Sequence, residues 1–162
     1  MAALKVRVLF VCMGNICRSP MGQGVFEQLV REAGLERHVL VDSAGTHAYH
    51  VGNPPDTRAQ AAAEGRGYDL RAQRARQAAD FDISAFDYVV AMDRDNLQNL
   101  REICPPGEEA KLRLLLDYAD GMPGRDVPDP YYGGKSGFER VLDLVEQGSR
   151  GLLDHIRERH RL

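Results

Sequence analysis

The chain has 162 residues, enough for one domain with an ample core. A hydrophobic content of 43%, a charged content of 28% and a formal net charge of −3 are those of an ordinary globular protein and give no reason to expect nucleic acid or an anionic membrane as partner. No apolar stretch approaches the ~18 residues of a spanning helix and no signal-peptide core is found. The three cysteines, Cys12, Cys17 and Cys104, make no secreted-type disulfide framework, so a reducing cytoplasm is the expected setting.

Residues 4–11 are read as the first strand, ending in the buried-strand run Val8-Leu9-Phe10-Val11, which stops at Cys12. Ser19 is read as a helix N-cap and Pro20 as the first helical residue, where its φ is preset and its missing N–H would be unpaired anyway. Met21, Val25, Phe26, Leu29, Val30 and Ala33 recur at helical spacing, and Gly34 stops the helix. His38 to Asp42 is a second strand, followed by Ser43-Ala44-Gly45; strand, helix and strand make a βαβ unit with parallel pairing.

Thr46 to Pro55 is a loop carrying His47 and Tyr49-His50. Asp56 caps a short helix through Ala59 to Glu64, and Gly65 and Gly67 stop it. Leu70 to Ala79 is an arginine-rich connector into a short helix near Ala79 to Phe81. Phe86 to Ala91 is the third strand, Met92-Asp93 opens a helix with Leu97 and Leu100, and Lys111 to Leu116 is the fourth strand. Asp117 to Lys135 is a long loop, a length that marks function or disorder. Ser136 with Glu139 reads as a capping box for a last helix to about Arg159. With no repeat, low-complexity tract or linker, residues 1–162 are expected to be one domain. The alternation predicts a doubly wound three-layer α/β fold, a four-stranded parallel sheet flanked by helices. Ligands in such sheets bind beyond the carboxyl ends of the strands, where Cys12, Ser43 and Met92 stand.

Between the first strand and helix lies Met13-Gly14-Asn15-Ile16-Cys17, whose backbone N–H groups can converge at the positive end of the helix as an anion cradle. It has no lysine and one glycine, unlike a Walker or dinucleotide loop. Arg18 offers a planar fork of donors suited to phosphate oxygens, and the groups that hold a dianion would also stabilise a thiolate at Cys12. A phosphate held over an ionised sulfur is nucleophilic phosphoryl chemistry; the bland alternative is a buried cysteine beside a solvated arginine. Such chemistry needs a general acid for the leaving oxygen. Asp129 is the candidate, in Val127-Pro128-Asp129-Pro130-Tyr131-Tyr132, where two prolines restrict the backbone on both sides. Taken alone, that segment reads as a turn with a solvated carboxylate. Asp126 is the rival, outside the proline clamp. The five histidines show no metal-ligand pattern; His155 and His160, five apart, are expected on different helix faces and solvated.

The run from Cys12 through Arg18 to Ser19-Pro20 after a strand, with Asp-Pro-Tyr-Tyr more than a hundred residues on, resembles the low-molecular-weight protein tyrosine phosphatases. The resemblance implies hydrolysis of phosphotyrosine in proteins through a cysteinyl-phosphate, with Cys12 as nucleophile, Arg18 and the loop Met13, Gly14, Asn15, Ile16 and Cys17 binding phosphate, and Asp129 as general acid and then base. It implies that Ser19 hydrogen-bonds the thiolate and that Asn15 bonds Ser43. Gln73 stands where family members often place a histidine before an Ala-Arg-Gln run. Met13, Tyr49, Tyr131 and Tyr132 would sandwich a phenyl ring, the plainer reading of the tyrosine pair being a loop anchor. Cys17 is either a redox partner in a reversible Cys12–Cys17 disulfide or a small buried residue. No cofactor or metal, phosphotyrosine-containing proteins as partners, and a monomer or weak dimer are implied. Three rival classes differ from this sequence at particular residues. Thioredoxin-linked arsenate reductases need two further cysteines around residues 80–92, and none is there. Protein-arginine phosphatases carry threonine in place of Ile16 and lack the tyrosine pair. A non-catalytic phosphopeptide-binding module needs neither Cys12 nor Asp129.

Overall fold

The computed structural model describes residues 5–131 and 135–162. Its elements in chain order are β1 (Val6–Cys12), α1 (Arg18–Glu32), β2 (Val39–Gly45), α2 (Thr57–Glu64), α3 (Asp80–Ala85), β3 (Tyr88–Ala91), α4 (Arg94–Glu102), β4 (Leu112–Leu114) and α5 (Lys135–His160). The strands form one parallel sheet in the order β2-β1-β3-β4. β1 is buried at every position but Arg7 because helices cover both its faces. Val6, Val8, Phe10 and Cys12 turn to Met21, Val25 and Phe26 of α1 and to Phe138, Leu142 and Val145 of α5. Leu9 and Val11 turn to the other side, to Ile83 of α3 and to Leu97 and Leu100 of α4. The period of two along β1 thus divides the core into two layers. Burying each of these large side chains stabilises the fold by about 1.5–3 kcal/mol.

The strand order makes the chain leave β1 on one side for β2 and return on the other as β3, so the crevice opens between the ends of β1 and β3. Cys12 pairs with Gly45 at the end of β1, and Val11 with Ala91. Asp56 caps α2 as expected, accepting from the Arg58 N–H at 2.8 Å.

Several boundaries differ from expectation. The fourth strand ends at Leu114, and Leu115 to Tyr118 wind into a 3-10 turn. The Asp117 carboxylate accepts from the N–H groups of Leu114 (3.3 Å) and Gly124 (2.7 Å), which draws the chain round; Leu115 and Leu116 stay buried, so their hydropathy could not reveal the bend. α3 runs past Phe81 to Ala85, because buried Asp82 accepts from the Ala79 N–H at 2.8 Å and pairs with Arg76 at 3.1 Å. Ser136 lies inside α5 and caps nothing among the described residues, and Glu139 reaches out to Arg66 at 2.7 Å. His155 and His160 lie on different faces of α5 as expected, with His155 exposed, yet both rings reach Tyr88. Five residues place them about 140° apart on a helix, and the Tyr88 ring sits between, with both centroids 5.9 Å away and His160 Nε2 2.9 Å from its hydroxyl.

α5 can approach the 3-10 turn only because Gly151 lacks a side chain. A Cβ there would lie 1.8 Å from the Tyr118 carbonyl oxygen, a backbone atom that cannot swing aside. Gly151→Ala is therefore expected to destabilise the protein by about 3 kcal/mol despite its better helix propensity. The urea midpoint measures this, and an unchanged midpoint would show the contact is not rigid. Among the described residues no helix is long and apolar enough to cross a membrane.

Candidate active site

The segment between β1 and α1 is held by its carbonyls. Cys12 O accepts from Thr46 N (2.9 Å), Met13 O from His47 N (3.0 Å), Ile16 O from Asp56 N (2.8 Å) and Cys17 O from Met21 N (3.2 Å). Among the described residues, the N–H groups of Met13 to Cys17 donate to no protein acceptor. A loop with its carbonyls pinned outward and its amides unclaimed is set up for an anion, which orphaned donors otherwise lack. Gly45 makes the approach possible, since a Cβ on it would lie 2.6 Å from Met13 O.

Asn15 holds the turn, with φ of 58°, a left-handed value that asparagine tolerates. Its Nδ2 donates to Ser19 Oγ (2.8 Å) and Ser43 Oγ (3.0 Å), and its Oδ1 accepts from the Arg76 N–H (3.0 Å). The Ser43 hydroxyl donates to Gln23 Oε1 at 2.7 Å, in preference to Gln73 Oε1 at 3.5 Å. Gln73 does stand beside the network, and its Nε2 donates to Pro20 O at 3.0 Å.

Ser19 is not the N-cap. The helix begins one residue earlier, at Arg18, with Cys17 in the cap position and no side-chain cap bond. With Asn15 donating to it, the Ser19 hydroxyl is bonded to Cys12 Sγ at 3.0 Å and can donate its hydrogen either to the sulfur or to Ala44 O at 3.4 Å. The loop's need for a donor beside the sulfur overrides the local capping preference.

Arg18 is 2% exposed and anchored by two contacts: Nη1 donates to Asp93 Oδ2 at 2.5 Å and to Val127 O at 3.0 Å. Burial works to lower its affinity for the proton, but the Cys12 sulfur, Asp93 and Asp129 outweigh this and hold the guanidinium above its ordinary range. Val127 is fully buried and its N–H bonds Met92 O at 2.8 Å, pinning the long loop to the end of β3. Two residues on, Asp129 reaches back, with Oδ2 3.6 Å from Arg18 Nη2 and Oδ1 accepting from the Tyr131 N–H at 3.0 Å. Asp126, the rival acid, faces away and binds Arg94 at 3.2 Å.

These groups line a cavity of about 110 Å³: Cys12, Met13, Gly14, Ile16, Cys17 and Arg18 come from the loop and the helix start, and Tyr49, His50, Asp129 and Tyr131 from other segments. The rim is ringed: Tyr49 stacks on His47 at 5.1 Å, Tyr131 lies 6.2 Å from His50, and the Arg58 guanidinium stands 5.4 Å over Tyr131. Tyr132, expected in the rim, lies outside the described residues. Cys17 is an unpaired thiol, its proton held well above the usual range by burial, with Asp56, Cys12 and Asp129 adding to it. Among the described residues, no group of three or more histidines, cysteines and carboxylates is placed to hold a metal ion.

Four residues of this site were not singled out from sequence. Asp93 was read only as the start of a helix, and it does cap α4, accepting from Asn96 N at 2.7 Å while its other oxygen takes Arg18. His50, Gln23 and Arg76 carry no local signal; their contacts are made across the fold.

A model of the low molecular weight phosphotyrosine protein phosphatase family matches residues 7–162. The chain is 48% identical over 155 residues to a low molecular weight protein-tyrosine-phosphatase of Streptomyces coelicolor, covering 94% of each. Among solved structures it superposes on YfkJ of Bacillus subtilis with a TM-score of 0.92 at 38% identity, covering 98% of this chain and 99% of that one. It is also similar to a Drosophila arginine phosphatase, with a TM-score of 0.83 at 32% identity, covering 93% of this chain and 97% of that one.

Proposed function

Since the chain belongs to the low molecular weight phosphotyrosine protein phosphatase family and is a hydrolase, we propose that residues 1–162 form one phosphatase domain that hydrolyses phosphotyrosine in proteins by double displacement at Cys12. The Cys12 sulfur attacks phosphorus in line as Asp129 gives its proton to the departing phenolic oxygen, forming a cysteinyl-phosphate. Asp129, now a base, takes a proton from water, which attacks phosphorus and expels the sulfur as thiolate. The Ser19 hydroxyl at 3.0 Å supports that departure. Arg18 and the unclaimed amides of Met13 to Cys17 meet the equatorial oxygens, where charge spreads in the transition state.

The observation that carries this reading is the meeting of Cys12, Arg18 and Asp129 on one cavity although Asp129 lies more than a hundred residues along the chain. A binding module would need neither sulfur nor acid. The choice of tyrosine over arginine is supported by the ringed rim of Tyr49, His50 and Tyr131 and by apolar Ile16 in the cavity lining. Cys17 shares that wall, so a protective Cys12–Cys17 disulfide belongs to the same reading, as does a cytoplasmic setting that keeps the thiols reduced.

Purified protein is expected to release phosphate from a phosphotyrosyl peptide at the same rate with and without a metal chelator. Its kcat/KM is expected to be at least about tenfold above that for a phosphoarginyl peptide, since a site shaped for one leaving group loses transition-state contacts with the other. Loss of activity on chelation would overturn the mechanism, and the reverse preference would overturn the substrate.

A further inference from the structure

Arg58 stands half-buried in the first turn of α2 and does not line the catalytic cavity. Its guanidinium is gripped along one edge by the Asp56 carboxylate, Nε donating to Oδ1 at 3.1 Å and Nη2 to Oδ2 at 3.0 Å. A planar fork held by its edge keeps its faces for aromatic rings. It lies 4.9 Å from the centroid of Phe138 and 5.4 Å from that of Tyr131, both within the ~6 Å over which a cation is drawn to a ring face. Phe138 is 1% exposed and belongs to the core, so this support is a fixed one.

Each end of the cluster reaches the reaction centre. The Asp56 N–H donates to Ile16 O at 2.8 Å, one of the bonds that pin the loop carbonyls outward. The Tyr131 N–H donates to Asp129 Oδ1 at 3.0 Å. Asp129 is thus carried between Val127, docked at the end of β3, and Tyr131, set against Arg58. Pro128 and Pro130 stiffen this short span, so a shift at either anchor is passed on to the carboxyl instead of being absorbed. Val127 is fixed by complete burial, but Tyr131 is 36% exposed and burial alone does not fix it.

We propose that Arg58 is a positioning residue for the reaction, clasping Tyr131 so that the Asp129 carboxyl is held at the cavity of Cys12. The proposal rests on the acid role given to Asp129 above. As an ion pair with Asp56 and nothing more, Arg58 would matter little. The two rings tie that pair to the acid loop on one side and to the core on the other, and proton transfer falls off steeply when the acid is misplaced.

The test compares phenyl phosphate with nitrophenyl phosphate, esters of similar shape whose leaving groups differ in their need for a proton. The ratio of their kcat/KM values isolates the acid, since binding largely cancels. Arg58→Leu is expected to lower the phenyl-to-nitrophenyl ratio about tenfold, part of the 10²–10⁴-fold that a positioned acid supplies. Tyr131→Leu should lower it to a similar degree, and the double variant no further, because the two side chains act as one unit. In an Asp129→Ala background Arg58→Leu should leave the ratio where it is. Nitrophenyl phosphate hydrolysis reports that each variant is folded. An unchanged ratio in Arg58→Leu, losses that multiply in the double variant, or a further loss without Asp129 would each overturn the proposal and leave the phosphatase reading intact. A ratio that Asp129→Ala itself does not move would overturn the acid role and the proposal together.

Discussion

Cys12→Ser is expected to lower turnover of a phosphotyrosyl peptide by at least about 10⁴-fold, the scale on which removing a covalent nucleophile acts, while the peptide still binds. The substitution is nearly isosteric at a site 3% exposed, and Ser19 can hydrogen-bond a hydroxyl as it does the sulfur. What is lost is the nucleophile, since a serine hydroxyl attacks phosphorus far less readily than a cysteine sulfur. Arg18 and the loop amides, to which the proposed function assigns the binding, are untouched, because Arg18 is anchored by Asp93 and Val127 and the loop by its carbonyls. Phosphate release measures the first quantity and calorimetry with the intact phosphopeptide the second. Turnover within tenfold of the parent would remove Cys12 from the chemistry, and loss of binding with a folded protein would mean the sulfur holds the phosphate rather than attacks it.

Asp129→Ala is expected to slow hydrolysis of a tyrosyl phosphate by about 10²–10⁴-fold, the usual contribution of a positioned acid, and that of an activated aryl phosphate far less. The phenoxide of tyrosine is a poor leaving group without a proton, whereas nitrophenolate departs readily on its own. Asp129 also sits 3.6 Å from Arg18, so release of the guanidinium is the competing explanation for a loss of rate. The leaving-group comparison separates the two, since a disturbed Arg18 would slow both substrates alike. Equal losses would therefore refute the acid role.

Much of this site was legible because it is local. Cys12 follows an apolar strand and precedes a helix, and the five residues between can only form a tight loop with its amides at a helix start. Asp129 was marked by its flanking prolines. The partners that give these residues their geometry were not legible. Asp93 looks like any helix cap, and nothing in its neighbours reveals that its second oxygen takes Arg18, 75 residues away. Arg76 read as part of an arginine-rich connector, yet its backbone N–H fixes Asn15 and its guanidinium joins Asp42 and Asp82. Ser19 was misread for the same reason: its capping propensity is a local preference of a fraction of a helix turn, overridden once Asn15, Ser43 and the sulfur surround it.

By itself the amino-acid order determined the layered α/β class and the loop and singled out Cys12 and Asp129 as candidates, because strand and helix periods, helix starts and proline restrictions act over a few residues. Tertiary structure alone decided that Asp129 lines the cavity of Cys12 and Asp126 does not, that the loop amides stay unclaimed, and that α4 brings carboxylates to its flank. Those outcomes depend on where Val127 docks against the end of β3 and on how closely Gly45 and Gly151 let neighbouring backbones approach. Contacts of that kind join residues remote in the chain, and their energies belong to the pair rather than to either residue's own preference.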